Sequence, residues 1–423
     1  MSESISGTRH HTGHDTSHRT SSDELDARDP LASYVELFVP GEHVVSYLDG
    51  NSLGRPLLAT RARFDEFIVN DWGDRLIRSW DEQWMSLPLD LGDRIAAITL
   101  GAAAGQTVVA DSTTVMLYKF IRAAVDTQQV ASGRDEIVVD VANFPTDRYL
   151  VEGIAAERGL TLRWIEVDPD RGVTTEQVAA VVGDRTALVL LSHVDYRSGY
   201  LADMPAITAV AHEAGALVLW DLCHSAGVIP MQLDAWGVDL AVGCSYKYLN
   251  GGPGAPAFGY VAHRLQAELV QPIQGWMGAA DVFAMGPGYT PAEGMRRFIS
   301  GTPPVVGMLA MQDMLDAIES AGIDAVRAKS LALTDHAFAL VEELLLEFDV
   351  GIVTPREHDR RGSHVTITHP HFRAVTETLW SQDVIPDFRN PDGIRLGLSP
   401  LSTSFAELRT GVEAIRAALL ALR

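Results

Sequence analysis

From about residue 100 onward, short apolar runs rich in valine, isoleucine and leucine alternate with helically spaced stretches. The runs Glu136–Val141, Leu162–Val167, Ala187–Val194, Leu217–Leu222, Asp239–Ser245 and Ala257–Val261 are apolar almost throughout. That is the pattern of strands buried on both faces of a parallel sheet. Val115–Val125, Thr174–Val182 and Ile207–Ala214 carry helical spacing between such runs. The alternation predicts an α/β domain with a mainly parallel sheet. Past residue 305 the pattern changes to a long helix over Ala325–Glu347, a strand at His364–Thr368 and a helix over Phe372–Gln382. A strand at Ile394–Leu398 and a last helix over Phe405–Leu422 complete a smaller α+β domain, and Gly301-Thr302-Pro303-Pro304 marks the break. Residues 1–28 are polar and aperiodic, which predicts a disordered tail. The expected organisation is that tail, a segment 29–60 joining the small domain, a large domain 61–304 and a small domain 305–423. His10, His11, His14 and His18 are read as part of the tail, not as a metal site.

Composition narrows the functions available. The net charge of −23 argues against nucleic acid or an anionic membrane as partner, since both need basic patches. An anionic ligand must then be held by local donors and dipoles. Two cysteines, Cys223 and Cys244, stand in no zinc-type spacing, so no metal is expected. Few cysteines, no leader pattern and no apolar run of bilayer length lead us to expect a cytoplasmic protein.

In parallel α/β sheets, ligands sit beyond the carboxyl ends of the strands. Asp221 ends one apolar run and His224 follows it. The carboxylate there either caps the next helix or pairs with a buried cation. Lys247 follows the run Asp239–Ser245 and enters the glycine-rich stretch Asn250-Gly-Gly-Pro-Gly254. Alone it is a loop lysine, but with Asp221 and His224 upstream it becomes a candidate nucleophilic amine. Asp111-Ser-Thr-Thr114 precedes a helix and offers hydroxyls and N–H groups to an anion, or is a simple cap. In Asn143-Phe-Pro-Thr-Asp147, Phe144 can stack on a planar ring, and Asp147 either orients a ligand or caps a helix.

These residues, with further runs, make the chain resemble the kynureninases, pyridoxal-phosphate (PLP) enzymes of fold type I in the aminotransferase class V group. The specific stretches are Leu48-Asp-Gly-Asn-Ser-Leu-Gly54 and Tyr246-Lys-Tyr-Leu-Asn-Gly-Gly-Pro-Gly254. Leu76–Trp80, Phe144–Asp147, His193–Gly199, Trp220–Gly227, Gly275-Trp276, Gly301–Pro304 and Asp387–Arg389 with Arg395 support them. The resemblance implies a seven-stranded-type, mainly parallel sheet with helices on both faces. It also implies a Schiff-base lysine at Lys247, and Asp221 on the pyridine nitrogen with His224 beside the ring. Thr113 and Thr114 would hold the phosphate, Phe144 and Asp147 would line the ring, and Ser192 would touch the cofactor. Tyr246 would contact phosphate and donate a proton. Trp276 and Thr302 would reach the phosphate of a neighbouring subunit, which implies a homodimer with shared sites. Arg395 would clamp the substrate carboxylate, with Asn51 and Ser52 nearby.

Such enzymes hydrolyse L-kynurenine or 3-hydroxykynurenine to anthranilate or its hydroxy form and L-alanine. Three positions depart from the pattern: Met277 and Ala279 replace an aromatic and a histidine, and Met116 replaces a frequent asparagine. They lie near the expected aryl pocket, so the ring preference stays open, as does a role in tryptophan breakdown or in specialised metabolism. The competing readings are another fold-type I enzyme (a β-lyase, desulfurase or aminotransferase) and a PLP-binding protein without turnover.

Overall fold

The structure, a computed structural model, describes residues 21–168 and 170–423. In chain order its strands are β1 (Ser46–Leu48), β2 (Thr107–Ala110), β3 (Glu136–Asp140), β4 (Thr161–Ile165), β5 (Thr186–Ser192) and β6 (Leu217–Asp221). They continue as β7 (Leu240–Cys244), β8 (Ala257–Val261), β9 (Gly351–Ile352), β10 (His364–Thr368), β11 (Val384–Arg389) and β12 (Gly393–Gly397). The larger sheet has the order β2-β8-β7-β6-β5-β3-β4. Strands β3 to β7 run parallel, and β8 is antiparallel to both β7 and β2. Chain order reverses between β3 and β5, the place where open α/β sheets leave a crevice.

Both faces of this sheet are covered, which is why its strands read as unbroken apolar runs. Val189, Leu191, Val218 and Trp220 enter one core, while Leu188, Leu190, Leu217 and Leu219 enter the other. The second core receives Met116, Leu117, Phe120 and Ile121 from the helix Thr113–Ser132, which ends at left-handed Gly133.

The smaller sheet has the order β1-β11-β12-β10-β9. Its β1 lies parallel to β11, so an N-terminal strand completes a C-terminal layer. Leu48 of β1 shares a core with Leu333, Phe338, Phe372, Leu396 and Leu408.

Three differences from the expectation have physical causes. Residues Ser22–Arg28, assigned to the disordered tail, form a helix opened by a Ser21/Glu24 capping box. Asp26 accepts the N–H groups of Phe405 and Ala406 at 2.8 and 2.9 Å, capping the last helix. This helix is held by polar caps, so it lacks the apolar stripe that periodicity detects. The four histidines of the tail lie outside the described residues. The helix Leu309–Ala321 was not anticipated, and its Met311, Met314, Leu315 and Ile318 pack into the larger sheet's core, beyond the expected break at 304. Strand β11 was missed because Pro386 reads as a breaker, yet it pairs there with Leu48 of the short β1. Among the described residues, no helix is long and apolar enough to cross a membrane.

Candidate active site

The carboxyl ends of β3, β5, β6 and β7 converge on one cavity. Thr113, Thr114, Phe144, Asp147, Ser192, Asp221, His224, Tyr246 and Lys247 all line it. These are nine of the residues anticipated from sequence, gathered from five separate stretches. Parallel register sets Ser192 abreast of Asp221, and the Cys223 N–H holds one Asp221 oxygen at 2.7 Å. Ser192 donates to Asn143 Oδ1 at 2.8 Å, and the same oxygen accepts the Phe144 N–H at 2.7 Å. Phe144 stands edge-on to Tyr196, with ring centres 5.3 Å apart. Thr113 and Thr114 open their helix behind the cap Ser112, so their N–H groups project from a positive helix end. Thr113, Tyr246 and Thr302 also border a wider cleft of about 480 Å³.

The lysines single out Lys247 by elimination. The chain contains three: Lys119, Lys247 and Lys329. Lys119 is buried against Asp111 at 2.5 Å and the Phe298 carbonyl at 2.6 Å. Lys329 is buried against Asp29 at 2.7 Å. Among the described residues, only Lys247 has no carboxylate partner in a salt bridge; its Nζ faces His224 Nε2 at 3.3 Å. Burial, and then the charge of Lys247, holds His224 well below the usual imidazole range, so it stays neutral. Asp147 is 1% exposed, and neither of its oxygens has a partner within the protein. Burial and the nearby carboxylates of Asp221 and Asp140 push its carboxyl well up. Burial also raises the Tyr246 hydroxyl, with Cys244 and Cys223 adding to it, so the phenol keeps its proton.

Two motifs that are far apart in sequence dock beside Lys247. The Gly54 N–H bonds the Tyr246 carbonyl at 2.9 Å. A Cβ on Gly54 would meet Asn250 Cγ at 2.3 Å and the Lys247 carbonyl at 2.5 Å, so only glycine permits this approach. Next to them sits Arg395, 1% exposed. Its guanidinium binds Asp387, donates to the Tyr196 carbonyl at 2.6 Å and reaches Ser52 Oγ at 2.9 Å. Asp387 covers the Nε and Nη2 edge, which leaves Nη1 to the carbonyl of Tyr196, a residue of the cavity wall. Asn51 is fully buried, with both side-chain polar atoms unpartnered. Burial and Asp387 raise Asp49 in the same cluster to about 6.

Trp276 does not join this cavity. With Thr302 it lines a separate apolar hollow of about 400 Å³, formed with Ile77, Trp80, Met85, Met277 and Phe283. Met116 is packed in the core beneath the phosphate-type helix end, and Ala279 lies on a short bridge to Pro291. Sequence reading gave no role to Tyr196, Asp387, Cys223 or His364. Tyr196 and Asp387 lay inside recognised motifs, which was the available signal. His364, read as a packing or surface residue, is buried with its ring 5.7 Å from that of His224. Among the described residues, no cluster of three or more metal-type ligands occurs.

Comparison with known proteins places this geometry. A family model described as aminotransferase class-V matches residues 93–383. The kynureninase of Pseudomonas fluorescens is 43% identical over 393 residues, covering 92% of this chain and 92% of that protein. The kynureninase of Burkholderia pseudomallei (strain K96243) is 43% identical over 396 residues, covering 93% of each. Among solved structures, an apo cysteine desulfurase from Thermococcus onnurineus NA1 superposes with a TM-score of 0.76 at 18% identity, covering 96% of this chain and 99% of that one. An alanine–glyoxylate aminotransferase from Nostoc sp. gives a TM-score of 0.62 at 19% identity, covering 80% and 88%. At these identities the solved structures speak for the fold alone. The chain is therefore a member of the kynureninase family, built on the fold-type I framework of the class-V aminotransferases.

Proposed function

We propose that this protein is a PLP-dependent hydrolase that cleaves the Cβ–Cγ bond of L-kynurenine or 3-hydroxy-L-kynurenine, releasing an anthranilate and L-alanine. One observation carries the reading: the one lysine outside an ion pair opens into a cavity that also holds Asp221 and a helix N-terminus. The residues present fit PLP. Asp147 brings two buried oxygens without partners, which a ligand's polar edge would satisfy. Thr113 and Thr114 supply hydroxyls and helix-end N–H groups for a phosphate. Lys247 would hold the cofactor through Nζ, Asp221 would face the pyridine nitrogen, and Phe144 and His224 would flank the ring.

When bound, PLP supplies an electron sink that takes up charge from the substrate's carbons. The protein supplies the rest. Arg395 would receive the α-carboxylate at its guanidinium, where the Ser52 hydroxyl now accepts from Nη2 and would yield its place. The displaced Lys247 Nζ takes the α-proton. Water adds to the γ-carbonyl carbon, and the Cβ–Cγ bond then breaks. The aryl carboxylate leaves, and the Tyr246 hydroxyl, kept protonated by burial, returns a proton to Cβ. One water is consumed, and its atoms appear in the aryl acid and in alanine. The Trp276–Thr302 surface would meet a second subunit in a homodimer, and the cytoplasm is its expected compartment.

The test is direct. The PLP-loaded protein is incubated with each substrate, and aryl amine and alanine are measured. Equimolar release of both is expected from at least one substrate. No product from either would overturn the hydrolase reading.

A further inference from the structure

We propose that Cys223 and Cys244 form an oxidative modification site on the floor of the cofactor cavity, a dithiol that a peroxide converts to a disulfide. They are the only two cysteines of the chain, and the fold brings them together. Strands β6 and β7 run parallel with Asp221 abreast of Val242. The Leu222 N–H still bonds the Val242 carbonyl at 2.7 Å, and Cys223, one residue on, opens the turn beside Cys244, the last residue of β7. A disulfide spans a Cα separation of roughly 4.4–6.8 Å, a range within reach of residues that meet side by side at the ends of neighbouring strands. The contacts agree. Cys244 Sγ donates to the Cys223 carbonyl at 3.9 Å, so this sulfur lies against the Cys223 backbone.

Exposure differs between the two. Cys244 is buried, whereas Cys223 is half-buried and forms part of the cavity wall beside Asp221 and Lys247. A small oxidant therefore reaches the pair through the cavity, and a ring seated above Asp221 would block that route. Cys223 is thus the sulfur that meets the oxidant, and Cys244, against its backbone, is the partner that closes the bridge.

The step balances with a peroxide as oxidant. Cys223 gives up its thiol proton, its sulfur attacks one peroxide oxygen and the O–O bond breaks. Hydroxide leaves, takes up a proton and becomes water, and the sulfur becomes a sulfenic acid. The Cys244 sulfur, losing its own proton, then attacks that sulfenic sulfur, the S–S bond forms and a second water leaves. Two thiols give up two electrons and two protons, and the peroxide is reduced to two waters. The bridge ties together the strand ends that carry Asp221 and Lys247. Cofactor reloading falls as a consequence, a clause that rests on the PLP reading.

The experiment treats the holoenzyme and the cofactor-stripped protein with hydrogen peroxide, then reads intact mass and free thiols. The stripped protein should lose the mass of two hydrogen atoms together with both thiols, and dithiothreitol should reverse the change. The holoenzyme should react at least about ten-fold more slowly, since its thiols are covered. Cys223→Ser and Cys244→Ser should each abolish the hydrogen-loss species. Three outcomes overturn the proposal: both thiols surviving in the stripped protein, oxygen added to sulfur without a bridge, or equal rates in the two forms. The mass readout needs no turnover, so it fails or succeeds apart from the hydrolase reading.

Discussion

The cavity at Lys247 and the surface around Trp276 are neighbours, with Thr302 bordering both the apolar hollow and the cleft that leads to Tyr246, yet one chain finishes only the first. Around Lys247, side chains from five stretches line one cavity, Asp147, Asp221, His224 and Lys247 are buried, and the unpartnered oxygens of Asp147 are those a cofactor would meet. Around Trp276, Ile77 is 77% exposed, Phe283 69% and Trp276 47%, about a hollow walled largely by hydrocarbon. Apolar surface gathered in this way calls for a cover. Under the proposed function, a single chain's sheet would anchor the cofactor, and a second subunit would cover the apolar wall beside it.

The largest test of this contrast is Lys247→Ala. Turnover should fall by at least ~10³-fold, as expected when an amine that moves the proton is removed. Reduction with borohydride should then attach no cofactor. Activity within ten-fold of wild type would place the chemistry elsewhere. Arg395→Lys keeps the charge against Asp387 but loses the planar fork. One charge-assisted hydrogen bond of about 1.5–3 kcal/mol predicts a KM raised about 10- to 100-fold with kcat little changed. A lower kcat at constant KM would move the carboxylate site away from Arg395.

Trp276→Ala probes the unfinished side. An interface anchor contributes about 2 kcal/mol or more, so self-association followed by sedimentation should weaken about 30-fold. Unchanged association would mean that the apolar surface is not the subunit contact. The smallest effect is a pH dependence at the cavity edge. Burial, then Asp195, raises Asp140 from 3.8 to about 7. The folded state therefore binds this proton more tightly than the unfolded chain does. That stability is fully present below about pH 4 and is lost as pH rises through about 7. Asp140→Asn should gain melting temperature over wild type between pH 4.5 and 8 in the cofactor-free protein. An equal difference at both pH values would contradict it.

The same contrast governs what could be read without coordinates. The strands of the larger sheet were legible because burial on both faces leaves them apolar throughout, and the motifs at their ends gave nine cavity residues. Other parts depend on tertiary context. Asp387 was visible in a motif, but its grip on Arg395 comes from the antiparallel pairing of β11 with β12. Nothing in the local pattern placed Cys223 beside Cys244 or His364 behind His224. The helix Ser22–Arg28 looked like tail because its stability lies in caps and in Asp26, which a search for periodicity does not see. Trp276 and Thr302 were both singled out, but only the fold shows that Trp276 lines a separate hollow from its own chain's Lys247 cavity.

Three lysines make the decisive measurement simple. The PLP-loaded protein is reduced with borohydride, digested and mapped by mass spectrometry. The account predicts the pyridoxyl group on Lys247 alone, with Lys119 and Lys329 unmodified. A label on either of those two, or none on Lys247, would contradict it.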